Sequence, residues 1–158
     1  MVTTGGGRPL TAVISRRQFI RVSALAAGGL LTGCAVNPVT GRSQLMLVSE
    51  DQEIQLDRQN SPYQFSSDYG AVQDAALNRY IHQTGLKLAT RTHRPQMPYS
   101  FRCVNATYVN AYAFPGGSIA ATRGILLKLQ NEAELAALLG HELGHVNARH
   151  TAEQMSKG

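Results

Sequence analysis

The C-terminal half of the chain contains two patterns of apolar residues, one typical of strands and, after it, one typical of a helix. Residues 99–105, 108–114 and 118–122 carry short apolar or alternating runs between turn residues, a pattern that favours strands. Residues 124–129 follow as a predicted helical turn. From Asn131 to about Gln154 apolar residues repeat at helical spacing, so one long helix is predicted. Its predicted buried positions include Leu135, Leu138, Leu139 and Val146.

The preceding residues predict two further helices. Ser49, followed three positions later by Gln52, matches a capping box and predicts a helix to about Asn60. Residues 69–90 are also predicted to be helical, and residues 44–48 form a short apolar strand candidate. Polar stretches at 61–67 and 91–98 are predicted loops. The apolar face of the second helix is assigned to Val72, Ala76, Tyr80, Ile81, Leu86 and Leu88.

The first 33 residues resemble an export signal. Residues 15–21 contain Arg16 and Arg17 and resemble a twin-arginine motif. The apolar run at 22–31 is shorter than the roughly 20 residues that a bilayer-spanning helix needs. Residues 31–34 then resemble a lipobox that ends at Cys34, the predicted site of lipid attachment. The alternative is a short N-terminal helix packed on the domain.

This signal predicts the organisation and location of the protein. Residues 1–33 would be removed as a twin-arginine-type lipoprotein signal peptide, and residues 34–43, with Asn-Pro and Thr-Gly turn signals, would form a lipid-anchored tether. Residues 44–158 would form the domain. Because Ala35 follows Cys34, we expect the periplasmic face of the outer membrane if the cell is Gram-negative.

Net charge gives no support for nucleic-acid binding. The whole chain carries a formal charge of +5, but four arginines lie in the first 33 residues. Without them 11 basic side chains face 10 acidic ones, and no basic cluster remains. We therefore predict no nucleic-acid partner. Of the two cysteines, Cys103 is predicted to be a buried apolar residue and not a nucleophile.

The strongest chemical motif lies inside the long predicted helix. His141, Glu142 and His145 form the pattern His-Glu-x-x-His. Positions four apart share one helix face, so both imidazoles can reach one metal ion while Glu142 serves a water beside it. Gly140 and Gly144, also four apart, predict a close approach by another backbone. The alternative is a surface helix that carries two histidines by chance.

Together with this motif, several segments resemble peptidase family M48, the zinc metalloendopeptidases that include the lipoprotein branch. The resemblance covers about residues 37–153. Its motifs are Asn37–Arg42, Ser49–Glu50, Val109–Gly117, Ile119, Gly124–Leu126, Glu134–Ala136, the zinc motif and Arg149–His150.

The resemblance implies an α+β, zincin-like (gluzincin) domain with a small sheet beside the active helix. It also implies Zn²⁺ on His141 and His145, with Glu142 as catalytic base. The family's third ligand is a glutamate on a later helix, and none of the 158 residues matches it. The expectation is therefore an N-terminal portion of the domain, truncated at its C-terminus. His150 is expected to lie well around the same helix from His145, in a packing or supporting role.

By the same resemblance, Asn110, Ala111, Tyr112 and Ala113 form an edge strand that pairs with substrate; a core strand is the alternative. The expected function is membrane-tethered hydrolysis of unfolded or misassembled envelope proteins, in protein quality control. A non-catalytic, lipid-anchored chaperone-like protein of the same fold is the alternative. A structural zinc site is disfavoured, because such sites usually have four protein ligands rich in cysteine.

Overall fold

A computed structural model describes residues 34–157 as an α+β chain, which confirms the predicted class. The predicted signal, residues 1–33, lies outside the described residues. The helices are α1 (Glu50–Ser67), α2 (Ala75–Ala89), α3 (Arg123–Leu126), α4 (Glu132–Asn147) and α5 (His150–Lys157). The strands are β1 (Cys34–Val36), β2 (Ser43–Leu45), β3 (Ser100–Val104), β4 (Ala111–Ala113) and β5 (Ser118–Thr122).

The main sheet has three strands in the order β3-β5-β4. Strand β5 lies parallel to β3 and antiparallel to β4, with Ala120 opposite both Arg102 and Tyr112. Strand β4 is therefore at an edge of this sheet. Helix α2 packs along β3 and α4 packs beside β4, so that the predicted zinc helix borders the edge strand.

The larger core lies between this sheet and helices α2 and α4. Ile81 from α2, Ile119 from β5 and Leu139 from α4 are fully buried in it. Cys103 is also fully buried, as its predicted role required, and it is a free thiol. Burial raises the pKa of Cys103 to about 11, which leaves the thiol protonated and unreactive at neutral pH.

A smaller core covers the other face of the sheet. Phe65 packs there with Val104 and Ala120. The sequence predicted that the first helix ends near Asn60, but α1 continues past Pro62 to Ser67. The prediction was wrong because the polar 61–67 stretch includes Phe65, and its burial requires the helix to continue.

Helix α2 begins six residues later than predicted. Tyr69 and Gly70 both have left-handed backbone conformations, with φ of 63° and 71°. Gly70 N donates to Phe65 O, closing α1, and Asp74 then caps α2 by accepting from Leu77 N at 2.9 Å. The predicted helix was too long at its start because Val72, which lies in the loop between α1 and α2, fitted the helical apolar spacing.

The predicted long helix divides into α4 and α5. Arg149 adopts φ of 57°, which no α-helix accommodates, so α4 ends at Asn147 and α5 starts at His150. The guanidinium of Arg149 donates from Nε to Glu53 at 3.0 Å and from one terminal nitrogen to Val48 O at 2.8 Å. The expectation of one continuous helix was wrong, because contacts with α1 fix the break.

Residues 34–45, which include the predicted tether, form an antiparallel hairpin of β1 and β2. The side-chain amide of Asn37 donates to Ala148 O at 3.0 Å, so the turn is held against the end of α4. The strand predicted at 44–48 lies instead at Ser43–Leu45. No helix between residues 34 and 157 is long and apolar enough to cross a membrane.

The glycine positions in α4 differ from expectation. Within the described residues, a Cβ added at Gly140 or Gly144 would have no neighbour within 4 Å. The predicted close backbone approach is therefore not seen there. It is found instead at Gly124, where a Cβ would lie 2.1 Å from Thr107 O and 2.3 Å from Tyr108 O. Gly124 thus lets the chain before β4 cross tightly over α3.

Candidate active site

Two hydrogen bonds between polar residues fix the N-terminus of helix α4. Asn131 accepts a hydrogen bond from Glu134 N at 3.0 Å as the helix cap. The carboxylate of Glu134 accepts in return, from Gln130 N at 2.8 Å, one residue earlier than a capping box requires. The cap therefore sets the residue at which the helix that carries His141, Glu142 and His145 begins.

The two histidines of the motif converge on one point. Nε2 of His141 lies 3.1 Å from Nε2 of His145, and the two rings stand at 87° to each other. Two imidazole nitrogens about 2.0–2.1 Å from one tetrahedral zinc ion would be about 3.3 Å apart. The spacing of these nitrogens therefore suits two ligands of a single zinc ion.

Glu142 lies between the histidines in sequence and is buried, although it lines the same cleft. Burial raises the pKa of Glu142, and the positive charge available to His145 and His141 acts in the opposite direction. A carboxylate with a raised pKa holds a proton more strongly than one in water. Such a group suits the transfer of a proton from water to a leaving group.

The cleft beside these residues has a volume of about 530 Å³ and is lined on its other side by residues 109–113. Phe114 N donates to Ser118 O, and Asn110 O accepts from Thr122 N. In an antiparallel pair such bonded positions alternate, so Ala111 and Ala113 direct their N–H and C=O groups away from β5. The structure thus places a strand edge next to the predicted zinc ligands.

The opposite face of β4 is held by a buried carboxylate that the sequence did not point out. Asp68, at the end of α1, accepts hydrogen bonds from the hydroxyls of Tyr112 and Tyr108 and from the amide of Gln64. Burial alone would raise the pKa of Asp68, but these three bonds together hold it below its usual value. The hydrogen bond from the Tyr112 hydroxyl to Asp68 therefore ties β4 to the end of α1.

His150 lies beside His145, contrary to the expectation that it would be turned away. Nδ1 of His150 is 2.8 Å from Nδ1 of His145, and the ring centroids are 5.0 Å apart. The expectation assumed a continuous helix, and the break at Arg149 removes that assumption. His150 also lines the cleft.

His150 does not complete a three-ligand site on the metal. It approaches the nitrogen of His145 opposite to the one that meets His141. Among residues 34–157, no group of three or more histidine, cysteine, aspartate or glutamate side chains could hold a metal ion. Within residues 34–157, His141 and His145 are thus the two candidate ligands, and His150 contacts the ring nitrogen of His145 that faces away from His141.

A comparison with known proteins shows which family this part of the chain matches. The family model "Peptidase family M48" matches residues 75–158, which include β3, β4, β5 and the His-Glu-x-x-His helix. That match covers more than half of the chain. The chain belongs to peptidase family M48. The resemblance seen in the sequence is confirmed, and the family implies a zincin-like fold for these elements.

Similar M48 proteins come from bacteria and from mitochondria. The chain is 32% identical to the beta-barrel assembly-enhancing protease of Yersinia pestis over 131 residues, 82% of this chain and 26% of that protein. It is 30% identical to the mitochondrial metalloendopeptidase OMA1 of Schizosaccharomyces pombe over 150 residues, 89% of this chain and 43% of that protein. The chain thus spans less than half the length of these relatives.

Proposed function

We propose that this M48 protein is a zinc-dependent endopeptidase in which His141 and His145 bind the metal and Glu142 is the catalytic base. The observation that carries the proposal is the convergence of two Nε2 atoms at 3.1 Å beside a buried carboxylate and a free strand edge. The family's third ligand, a glutamate on a later helix, would complete the site. DNA downstream of codon 158 tests this: a reading frame without such a glutamate would contradict it.

The chain's own residues account for the proton transfers of peptide hydrolysis. When bound, Zn²⁺ supplies a Lewis acid that polarises the scissile carbonyl and acidifies water. Glu142 removes a proton from the attacking water as the new carbon–oxygen bond forms. It then delivers that proton to the amide nitrogen as the carbon–nitrogen bond breaks. The raised pKa of Glu142 favours its holding the proton between these two steps.

Removal of metal is the direct test of this function. We expect the full product of the gene to bind one Zn²⁺ and to hydrolyse an unfolded protein such as casein, and to lose hydrolysis in the presence of a chelator. His141→Ala removes one converging nitrogen and is expected to weaken zinc binding at least tenfold in a competition titration. The exposed His93, changed to alanine, is the control. Hydrolysis that survives complete zinc removal would contradict the proposal.

For substrate binding, we propose that an extended peptide pairs with the outer edge of β4, across residues Asn110, Ala111, Tyr112 and Ala113. Main-chain pairing of this kind binds many sequences, because it uses groups that every peptide has. The outward groups of Ala111 and Ala113 are the ones that would bond to substrate. Tyr112 contributes by holding the strand through Asp68.

Ala113→Pro tests this pairing, because proline lacks an N–H group. At this position the lost donor faces the cleft and not β5, so the sheet bonds at Asn110 and Phe114 are kept. Loss of one hydrogen bond of about 1–1.5 kcal/mol should lower kcat/KM roughly tenfold. Ala113→Ser, which keeps the N–H, is the control. Equal kcat/KM values for the two folded variants would argue against β4 as the substrate strand.

We further propose that the substrates are unfolded or misassembled envelope proteins and that lipid on Cys34 tethers the protein to a membrane. Relatives named beta-barrel assembly-enhancing protease support an envelope substrate. The lipobox-like residues 31–34 support the anchor. Mass spectrometry of the N-terminal peptide of the exported protein tests the anchor, and an unmodified Cys34 there would contradict it.

A further inference from the structure

His150 is brought to the site by the break between α4 and α5. In a continuous helix, the five positions from His145 to His150 would carry His150 about 140° around the axis, away from His145. Here Arg149 reverses the local path with φ of 57°, and His150 opens the next helix. Its ring meets His145 at 68°, with Nδ1 facing Nδ1 at 2.8 Å.

The two nitrogens of His145 therefore have different partners. Nε2 faces Nε2 of His141, and Nδ1 faces Nδ1 of His150. A neutral imidazole carries one proton, and the nitrogen that binds a metal must be the one without it. If His145 binds zinc through Nε2, its proton is on Nδ1 and is donated to His150.

We propose that His150 is a positioning residue that accepts the Nδ1 proton of His145 and so keeps Nε2 of His145 free for the metal. This inference rests on the proposed zinc site. It requires the neutral tautomer of His150 that carries its proton on Nε2, since Nδ1 must offer a lone pair. Partners of this kind fix both the tautomer and the ring orientation of a ligand histidine.

The position of His150 depends on the buried ion pair made by the residue before it. Arg149 holds its left-handed conformation while bonded to Glu53 and Val48 O, and Glu53 is fully buried. Glu153 N donates to Arg149 O at 2.9 Å, which starts α5 directly after the reversal. His150 is thus held from two sides at the point where it meets His145.

The experiment compares His150→Leu with His150→Gln in the full gene product. Leucine cannot accept the proton, whereas the carbonyl of glutamine can. We expect His150→Leu to weaken zinc binding about 10- to 100-fold, the usual effect of losing such a partner. His150→Gln should recover most of the affinity. His93→Leu, which changes an exposed histidine away from the cleft, should bind zinc as the wild type does.

Nitrogen-15 NMR of labelled histidine gives a second readout that a purely structural role would not move. In the zinc-free wild type and His150→Gln, His145 should be mainly the tautomer protonated at Nδ1, whereas zinc-free His150→Leu should contain a mixture of both tautomers. Failure of the wild type to bind zinc would overturn the proposed function. If the wild type binds zinc, and His150→Leu binds it with the same affinity and keeps the same His145 tautomer, the role of His150 is overturned while the proposed zinc site stands.

Discussion

Replacing Glu142 with glutamine is expected to lower peptide hydrolysis by roughly 10²–10⁴-fold, the usual contribution of a positioned general acid–base group. The glutamine amide has nearly the same shape as the carboxylate but cannot take a proton from water. Zinc affinity should stay close to that of the wild type, because Nε2 of His141 and Nε2 of His145 are untouched. Casein hydrolysis and a zinc competition titration measure the two quantities separately.

Glu132→Gln is the matched control for this substitution. It makes the same chemical change on the same helix, at an exposed position in the first turn. A Glu142→Gln protein that hydrolyses peptides at the wild-type rate would remove Glu142 from the mechanism. If this variant loses hydrolysis but still restores envelope integrity in a deletion strain, the chaperone-like alternative is favoured for the cell.

Replacing Glu53 with glutamine is expected to lower the free energy of unfolding by about 3–5 kcal/mol, the usual effect of removing one partner from a buried ion pair. Glu53 is fully buried and accepts from Arg94 at 2.6 Å and from Arg149 at 3.0 Å. Arg94 is itself buried and also donates to Val146 O. Without the carboxylate, two guanidinium groups remain with too little negative charge. Urea unfolding followed by circular dichroism measures the loss.

Glu50→Gln is the control, because Glu50 also pairs with Arg94, at 3.1 Å, but is 43% exposed. An exposed pair contributes about 0–1 kcal/mol, so this variant should unfold almost like the wild type. Equal stability of the two variants would show that the buried network does not hold the fold. Because Arg149 depends on Glu53, Glu53→Gln should also weaken zinc binding if His150 supports His145.

Local sequence determined the elements that carry the chemistry. The spacing of His141 and His145 on a helix follows from 3.6 residues per turn, so their convergence could be predicted without a structure. The cap at Asn131 and the capping box at Ser49 depend on residues only three positions apart. Burial of Cys103 follows from its place in a strand, and the short strand predicted at 118–122 has the observed bounds of β5.

Only the tertiary structure decided where the long helix breaks, and therefore what stands behind His145. Arg149 and Glu53 are 96 residues apart, and a local sequence pattern cannot predict an ion pair between residues so distant. The same holds for α1, which continues past Pro62 because Phe65 is buried against the sheet. Helical spacing and caps are short-range properties that sequence contains directly. Breaks, strand edges and buried ion pairs depend on which segments meet, and that is settled only when the chain packs.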